Sequence, residues 1–258
     1  MKTARSNFAV LIKKDMKELL KSSQLLVFLA VCTFFSILSP LSARYMPEVL
    51  AMVGETQNII ISIPEVTYRD ALLQYIQNFS QLVVIVIIFL FMGSIAKEKD
   101  QGTMAYLLVK PVSRSQILLS KAVTANMLML IGIIAAMVCT GIYTQILFSE
   151  FPAAAFIKGN VYLLLYYITI TGITLAASSI CKKPFTSAVA ALGVWLFAGA
   201  VGSIPVVGQY SFTKLAEQAM LAFDSFPQQM QSVLGALVIS ITALALGIIF
   251  LERWEPAD

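Results

Sequence analysis

The side chains best suited to gripping another molecule fall within one stretch of about two dozen residues. From Glu98 to Lys121 the chain reads EKDQGTMAYLLVKPVSRSQILLSK, with Glu98, Arg114 and Lys121 as fixed charges and Gly102, Thr103, Pro111 and Ser113 as turn and capping residues. Such charges can pair with one another, brace one helix against the next, or meet opposite charges on a second protein. They are poorly suited to breaking bonds. The sequence contains no histidine, which removes Ser-His and Cys-His nucleophile pairs, imidazole zinc sites and histidine-ligated haem. It also lacks a G-x-x-x-x-G-K-[ST] phosphate loop. The chain therefore reads as non-enzymatic, with no metal and no cofactor of its own.

The elements that hold this stretch follow from composition. Hydrophobic residues make up 59% of the 258 and charged ones only 12%, a balance that points to lipid as the solvent. Charge-free apolar runs of spanning length occupy residues 24–43, 79–96, 122–148, 161–181, 185–209 and 233–251. Six spans put both termini on one side. That side carries fourteen Lys and Arg residues, including Lys13, Lys14, Lys17, Lys97, Arg114, Lys121 and Lys182, whereas the other carries only Arg44, Arg69, Lys158 and Lys214. The positive-inside rule then assigns both termini to the cytosol and the chain to the cell membrane, as one multi-pass domain over 1–258. A signal peptide cleaved near Ala43 is the competing reading of the first run, but its polar approach is too long and its apolar stretch exceeds an ordinary h-region. The net charge of +4 fits topology and contact with membrane lipids rather than nucleic acid, because no basic patch is interleaved with aromatics.

Local patterns give the expected parts. Within 1–23, Phe8, Ile12, Met16 and Leu19 share one helical face and Lys13, Lys14, Lys17 and Lys21 the opposite one, which predicts an interfacial helix. It is either a basic surface anchor or an elbow that also touches a cytosolic partner. Residues 44–78 read as an outer loop with Ile59, Ile60, Ile61 and Ile63 ahead of Pro64, and helix is expected to resume near Thr67. In 97–121, Gly102 should stop the second span and Thr103 start a short apolar turn, with Met104, Leu107 and Leu108 forming a knob. Pro111 ends that turn, and Ser113-x-x-Gln116 opens the next helix as a capping box. The knob could seat in another protein's groove or rest on lipid headgroups.

Lys182-Lys183-Pro184 predicts a tight turn between antiparallel spans. The fifth span is rich in Ala, Gly and Ser and suits close helix packing, either within the bundle or at a dimer seam. Pro205 and Gly208 should break it, and the outer segment 210–230 has the composition of a re-entrant or surface-lying helical hairpin. Cys32, Cys139 and Cys181 read as small buried hydrophobes, and Met127, Met129 and Met137 as core rather than a copper site.

The string Glu98-x-x-x-Gly102-Thr103-x-x-x-Leu107-Leu108-x-x-Pro111-Val112-Ser113-Arg114, set among six spans with an amphipathic N-terminal helix, resembles the membrane subunits of type-2 ABC exporters, the ABC-2 family. The resemblance covers essentially the whole chain. It implies an all-α permease with an elbow helix, a cytosolic coupling helix between spans two and three, and an outer hairpin between spans five and six. It further implies dimerisation with a second permease copy or a homologue, and recruitment of a separate ABC ATPase, in two copies, which would hold the ATP and Mg. Glu98, Gly102, Thr103, Met104, Leu107, Leu108, Pro111 and Arg114 would then form the coupling element, with Lys13, Lys14 and Lys17 as elbow contacts. Uncharged spans favour a hydrophobic or amphipathic cargo such as a lipid, glycan, peptide or drug. Gln81, Asn126, Thr171, Thr174, Ser178 and Ser179 are candidates to line its path, or else polar groups that hydrogen-bond helices together. Two alternatives to the coupled permease are a passive channel or ion-coupled carrier working without an ATPase, and a scaffold that only positions one. The absence of charge within the spans disfavours the ion-coupled form.

Overall fold

The computed structural model describes residues 2–56, 66–104, 113–223 and 230–254. Within them every regular element is helical, and six helical segments are long and apolar enough to cross a membrane. An N-terminal helix α1 (Lys2–Lys21) precedes α2 (Ser23–Thr56), which carries the first span. The second span is composite, built from α3 (Tyr68–Asn78), a π turn at Phe79–Val83, α4 (Val84–Phe91) and a one-turn helix α5 (Ala96–Asp100). The remaining spans are α6 (Arg114–Phe148), α7 (Ala153–Ile180), α8 (Pro184–Gly202) and α10 (Met230–Glu252), with a short α9 (Lys214–Leu221) before the sixth.

The first span outruns its apolar run. Helix α2 continues through residues 44–56, the first part of the stretch read as an outer loop, because no glycine or asparagine stop intervenes before Gly54. Pro40 and Pro47 lie inside it. Pro40 has no N–H to offer the Ser36 carbonyl, and that carbonyl instead accepts the Thr140 hydroxyl of α6 at 3.3 Å. A side chain from a neighbouring span thus satisfies the group that proline leaves bare. The isoleucine run at 59–63 and Pro64 lies outside the described residues. Helix resumes where expected, with Thr67 at the cap of α3 and the Asp70 carboxylate accepting from both the Thr67 N–H (2.8 Å) and its hydroxyl (2.9 Å).

Helix α7 is the axis of the bundle, packing against α4, α6, α8, α9 and α10. Its side chains brace the π turn: the Tyr167 hydroxyl donates to the Phe79 carbonyl at 2.8 Å and that of Tyr166 to the Ser80 carbonyl at 3.4 Å. Tyr75, fully buried, donates to Asn160 at 2.7 Å and stacks on Phe79 with ring centroids 4.2 Å apart.

The Lys182–Pro184 turn is as tight as predicted, Pro184 opening α8 as its first helical residue where a missing N–H costs nothing. Helix α8 stops at Gly202, ahead of Pro205 and Gly208. The chain then folds back, the Ser211 hydroxyl donating to the Ala198 carbonyl at 3.0 Å. Of the expected hairpin, the described part is α9, with Leu215 and Ala219 buried and Lys214 paired with Glu217. Helix α8 leaves much of its small-residue surface bare: a Cβ added at Gly193 or Gly199 would meet nothing within 4 Å.

Candidate functional site

At the charged end of the bundle the second span does not simply stop. After Phe91 the chain turns through residues 92–95 before α5 begins, which strands backbone groups in a buried place. One hydroxyl from α7 settles them. Ser178, with no exposed surface, accepts from the Ile95 N–H (3.0 Å) and the Ala96 N–H (2.9 Å) and donates to the Met92 carbonyl (2.9 Å). The sequence offered Ser178 as a lining residue, and here its hydroxyl is fully committed to the backbone. Ser179 and Thr174 likewise bond back to carbonyls of their own helix.

Helix α5 is a crossbar whose adjacent residues pull toward opposite sides. Glu98 Oε1 accepts from the Lys121 ammonium of α6 at 2.8 Å, with both side chains less than one-fifth exposed. Lys99 reaches the other way, donating to the Ser179 carbonyl at the end of α7 and lying 5.8 Å above the Trp254 ring. Both interactions tie a surface element to membrane helices in surroundings drier than water, where paired charges interact more strongly than at an open surface.

Gly102 ends the crossbar at φ +67°, the left-handed cap only glycine adopts without strain. Its N–H donates to the Lys99 carbonyl at 3.2 Å, and the Thr103 hydroxyl to the Glu98 carbonyl at the same distance. Met104, fully buried, joins Ile95, Ile117, Leu118, Ala122, Leu175 and Leu251 in a small apolar cluster beneath the turn, with Trp254 against its edge. Leu107, Leu108 and Pro111 lie outside the described residues. Chain description resumes at Ser113, whose reciprocal bonds with Gln116 form the predicted capping box, the Ser113 N–H donating to Oε1 at 3.2 Å and its hydroxyl accepting from the Gln116 N–H at 3.3 Å.

Arg114 does not meet Glu98. Its Nη1 donates to three carbonyls at the end of the sixth span, those of Leu251 (2.8 Å), Glu252 (2.7 Å) and Trp254 (2.6 Å). Leu251 and Glu252 lie in the last turn of α10, where the i+4 donors run out, and a guanidinium there also complements the helix dipole.

On α1, Lys13, Lys14 and Lys17 are exposed as the helical wheel required. The buried stripe is Leu11, Asp15 and Leu19, flanked by the half-buried Phe8, Ile12 and Met16. Asp15, only 8% exposed, accepts the Ser120 hydroxyl of α6 at 2.6 Å and lies 3.6 Å from Lys14. Sequence reasoning passed over it, although its i, i+4 spacing from Leu11 and Leu19 places it on the stripe. Ser120 and Lys121 are chain neighbours, so one turn of α6 holds both the N-terminal helix and the crossbar.

The remaining lining candidates are not gathered with these groups. Gln81 is exposed on the π turn, while Asn126 Oδ1 and Thr171 Oγ1 are buried with no partner among the described residues. Cys32 is buried, Cys139 and Cys181 are half-buried, and Met129 is buried while Met127 is exposed.

Comparison with known proteins agrees with this architecture. The chain is 26% identical over 213 residues, 81% of its own length and 82% of the other's, to a protein of Bacillus subtilis (strain 168) described as the uncharacterized transmembrane protein YxlG. Residues 9–250 match the profile of the ABC-2 family transporter protein, a stretch that takes in all six spans, the crossbar and most of α1. The chain therefore belongs to the ABC-2 family of membrane transport proteins.

Proposed function

We propose that this chain is the permease half of an ATP-driven exporter, that its charged end faces the cytosol, and that a separate ABC ATPase docks there. The observation that carries the reading is the crossbar: Glu98 is tied to α6, Lys99 to α7 and to Trp254, and Met104 is buried among side chains of α6, α7 and α10. A push on the segment beyond Gly102 would therefore reach three spans at once, and a discrete displacement of packed helices is how such a push becomes a change of state. The exposed Lys13, Lys14 and Lys17 supply a second contact, linked to the same turn of α6 through Asp15 and Ser120. A second permease copy packs on the bare small-residue surface of α8, and the cargo is hydrophobic or amphipathic. Gln81, Asn126 and Thr171 are the polar groups still available to line its path.

The test begins with affinity purification from the native membrane. A stoichiometric protein with a phosphate-binding loop is the expected companion. Flux through liposomes containing this chain alone would instead establish a channel or carrier. With the ATPase in hand, Lys121→Glu should abolish substrate-stimulated ATP turnover, and Glu98→Lys in the same chain should restore much of it. Turnover unchanged in Lys121→Glu would sink the crossbar as a coupling element. Normal binding with turnover insensitive to any cargo would leave a scaffold.

A further inference from the structure

Helix α10 stops at Glu252, and two residues later Trp254 lies half-buried against the apolar cluster that holds Met104. Its approach is closely packed. A Cβ added at Gly247 would come within 3.0 Å of the Leu118 side chain and 3.3 Å of the Ala176 backbone, so α10 sits tight between α6 and α7 just before its end. The turn that follows is short, the Arg253 N–H donating to the Ile249 carbonyl (3.2 Å) and the Trp254 N–H to that of Leu251 (3.3 Å). Trp254 therefore lies past the regular helix, where helix ends open most readily.

Two cations engage different parts of this residue. The Trp254 carbonyl accepts from Arg114 Nη1 of α6 at 2.6 Å, while the Lys99 ammonium of α5 lies over its ring, 5.8 Å from the centroid. That is within the range at which an ammonium is drawn to the negative face of an indole. The same ammonium donates to the Ser179 carbonyl at the end of α7, which holds it in place above the ring. Such an attraction needs a ring face and a charge, and filled volume alone does not supply it. We propose that Trp254 is a latch on the crossbar: through its ring on Lys99 and its carbonyl on Arg114 it makes the crossbar and the C-terminal turn open as one unit, and its release frees the crossbar to swing. The inference deepens the reading of the crossbar as a coupling element, and its test needs no ATPase.

The test is hydrogen exchange of the full chain in detergent, read by mass spectrometry. In the unaltered chain the bonded amides of Lys99, Gln101 and Gly102 and those of Arg253 and Trp254 should show protection equal within about threefold, and should lose it together as urea is added. Openings of the two segments that respond independently to urea overturn the proposal. Trp254→Leu should speed exchange at 99–102 about tenfold, the size of one desolvated cation–π contact, whereas Trp254→Phe, which keeps a ring face, should stay within about threefold of the unaltered chain. By reciprocity Lys99→Met should speed exchange at 253–254 by a similar factor. Unchanged crossbar exchange in Trp254→Leu overturns the latch, as does equal loosening by Leu and Phe, which would assign the effect to volume. Loosening that extends to the π turn at Phe79–Val83 overturns it too, as a general loss of packing. The urea series uses the unaltered chain, so it decides the matter even where a variant fails to fold. The chain is measured alone, so failure here leaves the exporter reading to its own test by co-purification and flux.

Discussion

The second span is interrupted twice, and the two interruptions are built differently. Both are braced by α7. At Phe79–Val83 the carbonyls are met by two phenols, Tyr166 and Tyr167, and the Tyr166 oxygen also accepts the Trp195 indole N–H at 2.6 Å. Large rings fill the space around this turn, including the fully buried Tyr75, Phe79 and Phe156. At residues 92–95 a single serine hydroxyl does the same work with one small group that both donates and accepts. The interruption at Phe79–Val83 is locked by large buried rings as well as by hydrogen bonds, whereas that at 92–95 has one bridging hydroxyl and the buried side chain of Ile95. The second therefore has fewer groups to rearrange than the first, which suits the interruption next to the charged segment.

The largest effect should come from Ser178→Ala, which strands two buried N–H groups and a carbonyl and should cost on the order of 3 kcal/mol. Thermal unfolding in detergent measures that loss, and hydrogen exchange should rise at Ile95 and Ala96 while staying unchanged around Phe79. Equal loosening of both regions would show that they are one unit, and the contrast would be lost. Tyr167→Phe should cost about 1 kcal/mol by removing one buried hydrogen bond to the Phe79 carbonyl. Its exchange signature should be confined to the π turn, since the ring still fills the pocket. Gly102→Ala should cost about 1 kcal/mol through its left-handed backbone, with nothing nearby for the methyl to strike. Exchange should then increase at residues 101–104 only. Smallest of all, Lys17→Gln on the exposed face of α1 should change stability by less than about 0.5 kcal/mol, a control read in the same unfolding assay.

How far the sequence reveals this arrangement depends on whether the cause is local. The six spans, the Thr67 restart, the Gly102 stop, the Ser113-x-x-Gln116 box and the Pro184 helix start are all legible, because each is decided by residues within a few positions. The π turn is not: Phe-Ser-Gln-Leu-Val contains no breaker, and its stability comes from tyrosines 86 and 88 residues away. Gly93 and Ser94 hint at the break at 92–95, but the hydroxyl that completes it belongs to Ser178. The same limit explains Arg114. Its charge and that of Glu98 are legible as contacts to membrane helices, but not which helix each meets: Glu98 pairs with Lys121 of α6, and Arg114 serves a helix end far along the chain.

That last contact has a consequence for how the protein is made. Arg114 is inserted with α6, but the carbonyls it grips belong to Leu251, Glu252 and Trp254, the first of them 137 residues further on. Throughout the synthesis of the intervening spans the guanidinium must remain hydrated at the membrane surface. Once α10 lies beside α6 those carbonyls replace the water, so this contact forms only after the last span is in place.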